Sequence, residues 1–410
     1  MSILTCRSCG TELKHTLLDL GKTPLANSYV EKGKEGISDS QYPLHARVCS
    51  ECFLVQVEDV VPPEDIFSDY AYFSSYASSW VEHAKKYAKK SSERFGLNKS
   101  SLVIEVASND GYLLQHFVQN GIRVLGIEPA ANVAEEARKK SVPTEVAFFG
   151  RETARKVKEQ HGAADLMAAN NVLAHVPDIN DFVSGFEVLL ADDGAVSFEF
   201  PSLLNLIEKV QFDTIYHEHF SYLSLFAIEK CFERNGLRVF DVEELETHGG
   251  SYRVWACKEA SDRTETENLH LIRQKEKAAH LDSLAGYENF EPRVRKLREE
   301  LLNFLHKAKD EGKSVLGYGA AAKGNTLLNY CGVGVDLISH VADLNPHKQN
   351  TLLPGSRIPV IAPTEIAELK PDYILILPWN LRDEISSSLS YVSEWGCKFV
   401  VPVPTTEVIS

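Results

Sequence analysis

The stretch VIEVASNDGYLL, residues 103–114, constrains the fold of this chain more than any other part of the sequence. Its first residues are mostly apolar and β-branched, which is typical of a buried strand, and Asp110 and Gly111 then form a turn that opens a helix. A strand that passes through a tight turn into a helix is half of a βαβ unit, and such units build parallel sheets with right-handed crossovers. The sequence therefore predicts an α/β fold.

Two Cys-x-x-Cys pairs, Cys6 with Cys9 and Cys49 with Cys52, lie in the short, irregular region 1–80. Together they can supply the four thiolates of a tetrahedral Zn²⁺ site. A region this short and irregular gains much of its stability from such a metal. Four protein ligands leave no open position, so we predict a structural zinc ion. The remaining cysteines are expected to be small buried apolar side chains: Cys231, Cys257, Cys331 and Cys397.

Strands alternate with amphipathic helices in two further parts of the chain. RVLGIEPA, ADLMAANNVLAHV and GAVSFEFPS are strand candidates within residues 81–255. After a charged helical stretch, SVLGYGAAAKGNTLL, LISHVADLN, DYILILPWN and CKFVVPVP form a second such set within residues 256–410. We therefore predict three domains: a zinc-binding domain at 1–80, a Rossmann-like domain at 81–255, and a helical connector with a smaller Rossmann-like α/β domain at 256–410.

Charge and hydropathy exclude several classes of function. The chain has 43 Lys and Arg against 58 Asp and Glu, a net charge of −15, so neither a nucleic-acid surface nor a polybasic membrane face is expected. No apolar run approaches the roughly 18 residues that span a bilayer, and the N-terminus lacks the pattern of a signal peptide. Paired Cys-x-x-Cys usage indicates a reducing compartment. We expect a cytoplasmic protein that is a monomer or a weak oligomer.

Two acidic residues at strand ends indicate the kind of ligand. Glu105 lies in the strand before the first turn, and Glu128 ends the next strand, where an acid meets ribose hydroxyls. The turn lacks G-x-G-x-x-G, and two carboxylates suit a positive or neutral ligand better than a pyrophosphate. S-adenosylmethionine, with its sulfonium, amino-acid tail and adenosine, is such a ligand. Asn170 and Asn171 follow a later strand, with His175 just beyond, so they belong to the same edge of a parallel sheet.

Nine motifs occur in a characteristic order: CRSCG…CSEC, DYAYFSSYASSW, EVASNDGYLL, GIEP, NNVLAHVPD, YHEHFSYLS, HGGSYRV, GYGAAAKGNTLLNY and PGSRIPV. Over essentially its whole length the chain resembles the three-domain, zinc-containing sugar C-methyltransferases, which act on nucleotide-linked 4-keto sugars in deoxysugar biosynthesis. The resemblance implies that the four paired cysteines bind zinc, that the central domain binds S-adenosylmethionine, and that the C-terminal domain helps to hold the nucleotide sugar. The residues it implies around the methyl donor are Asn109, Asp110, Gly111, Glu128 and Asn170, to which we add their neighbours Glu105, Ser108, Pro129 and Asn171.

The resemblance also implies catalytic residues within TIYHEHFS, residues 214–221. His219 is the implied base, and Tyr216 and Glu218 are its companions. Outside this stretch, two residues match further active-site positions, Tyr72 and His175, and Tyr70 and Tyr76 compete with Tyr72 for its role.

The proposed chemistry follows from these residue types. A 4-ketone acidifies the neighbouring C–H, so a base can form an enolate whose carbon attacks the sulfonium methyl. Histidine suits the base because its pKa lies near neutral pH. Glu218 can orient the imidazole, and Tyr216 or Tyr222 can donate a hydrogen bond to the enolate oxygen.

The backbone of residues 214–221 has to meet a structural condition. Successive side chains of a strand point to opposite faces, so an extended segment would separate Glu218 from His219. The catalytic hypothesis therefore predicts a turn or irregular backbone here. His217 is expected to be dispensable, and no metal is expected at these histidines, because zinc has its own four thiolates.

The turn GYGAAAKGNT, residues 317–326, is typical of a dinucleotide-binding half. We expect no redox cofactor there and instead expect the substrate's phosphates, with Lys323 as the first candidate ligand. Arg253 and Tyr76 are further substrate-binding candidates. The expected substrate carries dTDP in preference to GDP and is methylated at C-3 in preference to C-5.

Three other functions stay open from the residues alone. An O-methyltransferase acting on a nucleotide sugar is the nearest, because a histidine base also suits a hydroxyl nucleophile. An NAD-dependent oxidoreductase would use the C-terminal turn, although no hydride-handling pair is evident beside it. A non-catalytic zinc-ribbon protein would leave His175, Glu218 and His219 without a task.

Overall fold

The computed structural model describes residues 4–34, 36, 38–60, 74–76 and 78–409. Tyr70 and Tyr72 lie outside the described residues, as does the side chain of Tyr76. The chain forms two compact units. The first unit comprises Met1–Lys14, Cys49–Ser202 and Phe220–Leu284, and the second comprises His15–Val48, Leu203–His219 and Ala285–Ser410. The three domain boundaries of the sequence analysis stay predictions.

The strands of the described chain are β1 (His15–Thr23), β2 (Val30–Glu31), β3 (Tyr42–Val48), β4 (Val55–Gln56), β5 (Leu102–Val106), β6 (Arg123–Ile127), β7 (Thr144–Glu145), β8 (Ala164–Asn170), β9 (Leu190–Pro201), β10 (Ser221–Tyr222), β11 (Leu237–Leu245), β12 (Ser251–Lys258), β13 (Val315–Tyr318), β14 (Val341–Ala342), β15 (Thr351–Leu352), β16 (Val360–Ile361), β17 (Tyr373–Ile376), β18 (Lys398–Val401) and β19 (Glu407–Ile409).

The α-helices of the described chain are α1 (Ser78–Phe95), α2 (Leu114–Gln119), α3 (Ala131–Lys139), α4 (Arg151–His161), α5 (Ile179–Leu189), α6 (Leu203–Glu208), α7 (Leu225–Arg234), α8 (Glu267–Ala278), α9 (Phe290–Asp310), α10 (Ala322–Cys331), α11 (Ile366–Leu369) and α12 (Arg382–Ser388). Helices α5, α7 and α8 each begin after a residue whose side chain accepts a hydrogen bond from the backbone N–H three positions later, namely Asp178, Ser224 and Thr266. None of the described helices is both long enough and apolar enough to cross a bilayer.

A sheet ordered β11-β12-β9-β8-β5-β6-β7 forms the centre of the first unit. Strands β9, β8, β5, β6 and β7 run parallel, whereas β12 and β11 are antiparallel to their neighbours. Every residue of β5 is buried, which explains its nearly continuous apolar sequence. The carboxyl ends of β5, β6 and β8 meet at one edge, so the predicted donor-binding turns are neighbours.

The second unit contains a sheet ordered β16-β14-β13-β17-β18-β19, parallel except for its last strand. The antiparallel pair of β1 and β3 belongs to the same unit. Gly319 follows β13 with φ +86°, and a Cβ there would lie 2.5 Å from the Pro378 Cδ. The glycine is therefore needed for close packing of its own turn. The predicted α/β fold with two parallel sheets is confirmed, and so is the burial of all four unpaired cysteines.

Glu276, at 2% exposure, gives the first unit a pH-dependent stability. Its carboxylate accepts hydrogen bonds from the backbone N–H groups of Leu225 (2.8 Å) and Phe226 (2.9 Å) at the start of α7. Burial nevertheless raises the pKa of Glu276 to about 7. In the unfolded chain the carboxyl of Glu276 ionises at about pH 4.3. The contribution of its raised pKa to the free energy of unfolding is therefore fully present below about pH 4.3, and it is lost as the pH rises through the folded-state pKa.

We therefore expect Glu276→Gln to remove this pH dependence, because an amide does not ionise. Between pH 5.5 and 8, the free energy of unfolding of the wild type is expected to fall by about 2 kcal/mol relative to the variant. Urea unfolding of both proteins at several pH values measures the difference. If the difference between the two free energies of unfolding does not change with pH, the carboxyl of Glu276 is ionised in the folded protein throughout this range.

Candidate active site and metal centre

The four paired cysteines come together in the first unit. Their sulfur atoms all lie within 4.8 Å of one another, with Cys6 and Cys52 at 3.5 Å and Cys9 and Cys49 at 3.4 Å. Sulfur ligands about 2.3 Å from a tetrahedral Zn²⁺ lie roughly 3.8 Å apart, so the cluster fits that ion. Three of the four cysteines are buried, and Cys9 is half-buried.

The two cysteine pairs have the same backbone geometry. The Cys6 carbonyl accepts from Gly10 N (2.8 Å), and the Cys49 carbonyl accepts from Phe53 N (3.1 Å). The residue directly after each cysteine pair, Gly10 or Phe53, has a left-handed backbone conformation, with φ of 77° at Gly10 and 56° at Phe53. A phenylalanine rarely adopts this conformation, so the surrounding structure must enforce it. Gln56 Nε2 also donates to the Cys6 sulfur (3.2 Å), as second-layer groups around metal-bound thiolates do.

The turn after β5 has an unusual backbone. Ala107 (φ 55°), Asn109 (φ 48°) and Gly111 (φ 75°) are all left-handed. Glu128, at the end of β6, braces this turn, because its two carboxylate oxygens accept from the backbone N–H groups of Asn109 (3.0 Å) and Ala130 (3.0 Å). Burial raises the pKa of Glu128, and these two N–H donors lower it.

Buried acceptors without a hydrogen-bond partner in the described chain line the same edge. They are Ser108 Oγ, Asp110 Oδ1, and the amide oxygens of Asn170 and Asn171, and the Glu105 carboxyl is buried among them beside Tyr112. Buried polar atoms are rarely left unpaired, so a ligand rich in hydrogen-bond donors fits here. The amine, ribose hydroxyls and adenine amino group of S-adenosylmethionine are such donors. Burial raises the pKa of Glu105 well above its usual value.

Glu128→Ala is expected to weaken binding of S-adenosylhomocysteine by about ten- to hundredfold, because it removes both the predicted ribose acceptor and the brace of Asn109. Calorimetric titration of the folded variant measures this. Glu135→Ala, at an exposed position on α3, is the matched control and should bind normally. Equal affinity for S-adenosylhomocysteine in both variants would show that Glu128 does not contribute to donor binding.

Residues 214–219 form an irregular turn in the second unit, as the catalytic hypothesis predicts. His217 and Glu218 are at its corner, and His219 N donates to the Tyr216 carbonyl (3.0 Å). The predicted absence of a simple strand is therefore confirmed. His219 and Tyr216 also meet through their side chains, with Nε2 and the phenol oxygen 2.7 Å apart.

The hydrogen bonds of His219 define its tautomer. Nδ1 lies 3.0 Å from the Thr214 carbonyl, which can only accept, so Nδ1 carries the proton of the neutral ring. Nε2 is then the basic nitrogen and accepts from the Tyr216 hydroxyl. A half-buried imidazole held at Nδ1 with its lone pair on Nε2 is equipped to take a proton.

The predicted role of Glu218 in orienting this imidazole stays a prediction. Both Glu218 oxygens accept from the amide of Asn27, at 2.8 and 2.9 Å, and the Thr214 carbonyl holds Nδ1 of His219. Burial raises the pKa of Glu218, whereas Asn27 and then Lys348 lower it. No periodicity or motif singles out Asn27 in the sequence.

The remaining candidate residues are divided between the units. His217 is buried, with Nε2 3.2 Å from the Pro43 carbonyl. In the first unit, His175 is half-buried in a short 3₁₀ helix after β8, and Tyr222 is buried in β10 beside Val55. Tyr72 and the side chain of Tyr76 lie outside the described residues, so their roles stay predictions.

The two basic candidates have internal partners. The Arg253 guanidinium is 4% exposed and is paired with Glu199 (Nε to Oε1, 2.7 Å) and Glu243 (3.3 Å). Lys323, in the first turn of α10, donates to Asn380 Oδ1 (2.6 Å), and its ammonium lies 4.5 Å from the centre of the Trp379 ring. Substrate contacts of either residue stay predictions.

A curated relative identifies the family. The chain is 37% identical over 405 residues to the C-methyltransferase NovU of Streptomyces niveus, and the match covers 99% of this chain and 96% of NovU. The chain belongs to this C-methyltransferase family. Three parts of it also match described families: residues 6–67 a "Putative zinc binding domain", 80–242 a methyltransferase domain, and 246–404 a C-methyltransferase C-terminal domain.

This C-methyltransferase therefore has a Rossmann-like fold that binds S-adenosylmethionine and a zinc-binding N-terminal region with the Cys6, Cys9, Cys49 and Cys52 cluster. Both cofactor predictions are confirmed. Its reaction is S-adenosylmethionine-dependent C-methylation, which supersedes the O-methyltransferase, oxidoreductase and non-catalytic alternatives.

Solved methyltransferase structures align with part of the chain at low sequence identity. The magnesium protoporphyrin IX methyltransferase of Synechocystis PCC 6803 has 16% identity over 43% of this chain and 77% of that protein, with a TM-score of 0.32. The CcbJ methyltransferase of Streptomyces caelestis has 12% identity over 43% of this chain and 90% of that protein, with a TM-score of 0.34. Likeness at this level says nothing about substrate.

Proposed function

We propose that this protein transfers a methyl group to a ring carbon, C-3, of a nucleotide-linked 4-keto sugar in deoxysugar biosynthesis, through an enolate that His219 forms. The observation that carries the proposal is the pair of hydrogen bonds to His219, with Thr214 O at Nδ1 (3.0 Å) and the Tyr216 hydroxyl at Nε2 (2.7 Å). In the neutral ring, these two hydrogen bonds leave the lone pair on Nε2, beside the Tyr216 phenol.

In the proposed reaction, the proton of the C–H group next to the ketone moves to Nε2 of His219. A carbon acid next to a ketone needs a base at the C–H and a hydrogen-bond donor at the carbonyl oxygen. When Nε2 takes the C–H proton it can no longer accept from Tyr216, and the released phenol donates to the developing enolate oxygen. The Thr214 carbonyl stabilises the imidazolium at Nδ1. The bound methyl donor supplies the electrophilic sulfonium methyl.

The nucleotide part of the proposal depends on Lys323. An ammonium has three N–H donors, and Asn380 takes one of them, so Lys323 retains donors for a phosphate oxygen. Arg253 is engaged by two carboxylates and is a poorer candidate. We propose a diphosphate-linked sugar, with dTDP favoured over GDP.

The test is a substrate panel with S-adenosylmethionine carrying a ¹³C-methyl group. The panel pairs dTDP- and GDP-linked 4-keto-6-deoxy sugars with the matching 4-hydroxy sugars. The proposal predicts that NMR will show the ¹³C-methyl group bonded to a carbon of the sugar. It predicts this product only when the substrate is a 4-keto sugar. Methyl transfer to oxygen, or equal transfer to the 4-hydroxy sugars, would refute it.

A further inference from the structure

Asn27 lies between β1 and β2, outside the motifs that carry the chemistry, yet its side chain contacts Glu218 directly. Its amide nitrogen lies 2.8 Å from one carboxylate oxygen and 2.9 Å from the other. An asparagine NH₂ group only donates, and an ionised carboxylate only accepts. The pair is therefore matched for a negatively charged Glu218.

The segment around Asn27 is fixed on both sides. The Ala26 carbonyl accepts from Asn325 Nδ2 (2.6 Å), and the Tyr29 hydroxyl donates to the Ala320 carbonyl. Within the segment, Tyr29 N donates to the Asn27 carbonyl (3.0 Å). Asn27 therefore presents its amide from a held backbone.

Glu218 is a corner residue of the turn that holds the proposed base. The residues on either side of this corner, Tyr216 and His219, are joined through the backbone (3.0 Å) and through their side chains (2.7 Å). A carboxylate fixed at the corner fixes the orientation of both. Displacements of about 1 Å in such a pair can cost about a hundredfold in rate.

We propose that Asn27 is a positioning residue for C-methylation, which acts through Glu218 to hold the turn that presents Tyr216 and His219. The proposal rests on the assignment of His219 as the base. It gives Glu218 the task of an anchor for the turn.

Asn27→Asp tests the proposal with almost no change of shape. It places a carboxylate where the amide was, about 2.8 Å from Glu218, so two acceptors face each other and repel once both are ionised. We expect kcat for methyl transfer to a dTDP-4-keto-6-deoxy sugar to fall about ten- to hundredfold at a pH where both carboxylates are ionised, and to fall less at acidic pH, where a shared proton joins them. Binding of S-adenosylhomocysteine should not change. Asn98→Asp adds the same charge at an exposed site and should behave as the wild type.

The double variant Asn27→Asp with Glu218→Gln exchanges donor and acceptor and restores the hydrogen bond. Recovery of methyl transfer above that of Asn27→Asp is the expected result. A double variant no better than Asn27→Asp, or a single variant with the wild-type pH profile, would overturn the proposal.

A substrate-free readout separates this proposal from the proposed function. The ring resonances of ¹³C-labelled histidine, with His219 assigned from His219→Asn, should shift in Asn27→Asp, because the imidazole is reoriented. If the His219 resonance shifts in Asn27→Asp but His219→Asn is fully active, the assignment of His219 as the base is refuted. The role of Glu218 as an anchor for the turn then still stands. An unchanged His219 resonance would refute the anchor itself.

Discussion

His219→Asn is expected to lower the rate of methyl transfer by about a thousandfold, the usual loss when a general base is removed. Asparagine retains a polar side chain at this position but cannot accept the C–H proton at Nε2. The substitution alters none of the residues proposed to bind the methyl donor, so the affinity for S-adenosylhomocysteine should be unchanged. Single-turnover transfer to the keto sugar and calorimetric donor binding measure the two effects separately.

His217→Asn provides the matched control. The same substitution two positions earlier removes an imidazole that bonds the Pro43 carbonyl and lies 2% exposed. It should lower stability while leaving the chemical step nearly intact in the folded protein. Equal loss of transfer in both variants, or full transfer in His219→Asn, would contradict the assignment.

Loss of the zinc site is expected to have the largest effect on stability. Structural zinc contributes on the order of 10 kcal/mol to the folding of small domains. Cys6, Cys49 and Cys52 also belong to the apolar core of the first unit, so a disordered cluster would expose that core. Cys49→Ser should therefore leave the protein without stoichiometric zinc and lower its Tm by more than about 10 °C. Metal analysis and calorimetry measure both.

Cys397→Ser is the control for the zinc prediction. Cys397 is buried in the second unit and is not part of the cluster. Burying a hydroxyl there should cost only about 1–3 kcal/mol and leave the zinc content at one ion per chain. A Cys49→Ser protein that retains its zinc and its Tm would contradict the assignment of Cys49 as a zinc ligand.

The features that local sequence could predict were the strand–turn–helix at Glu105–Gly111 and the cysteine cluster. A buried strand has an apolar pattern of its own, and metal ligands in Cys-x-x-Cys pairs are recognisable from their spacing. The turn at His217 and Glu218 could be predicted from the catalytic hypothesis. An extended backbone would have placed Glu218 and His219 on opposite faces of a strand.

The partners of the charged residues could not be predicted. Glu218 bonds Asn27, which is 191 residues away in the chain, and Arg253 bonds Glu199 across two strands. Whether a charged side chain is an internal partner or a ligand depends on contacts between distant segments, which residue type does not encode. The carbonyl that holds His219 Nδ1 is local by contrast, because Thr214 lies five residues earlier in the same turn.

Hydrogen exchange at the carbon next to the ketone measures directly whether His219 forms the enolate. The protein is incubated in D₂O with a dTDP-4-keto-6-deoxy sugar and S-adenosylhomocysteine, so that an enolate can form but no methyl can transfer. The account predicts incorporation of deuterium at C-3 by the wild type and none by His219→Asn. Exchange at the wild-type rate in His219→Asn, or no exchange in a wild-type protein that methylates the same sugar, would contradict it.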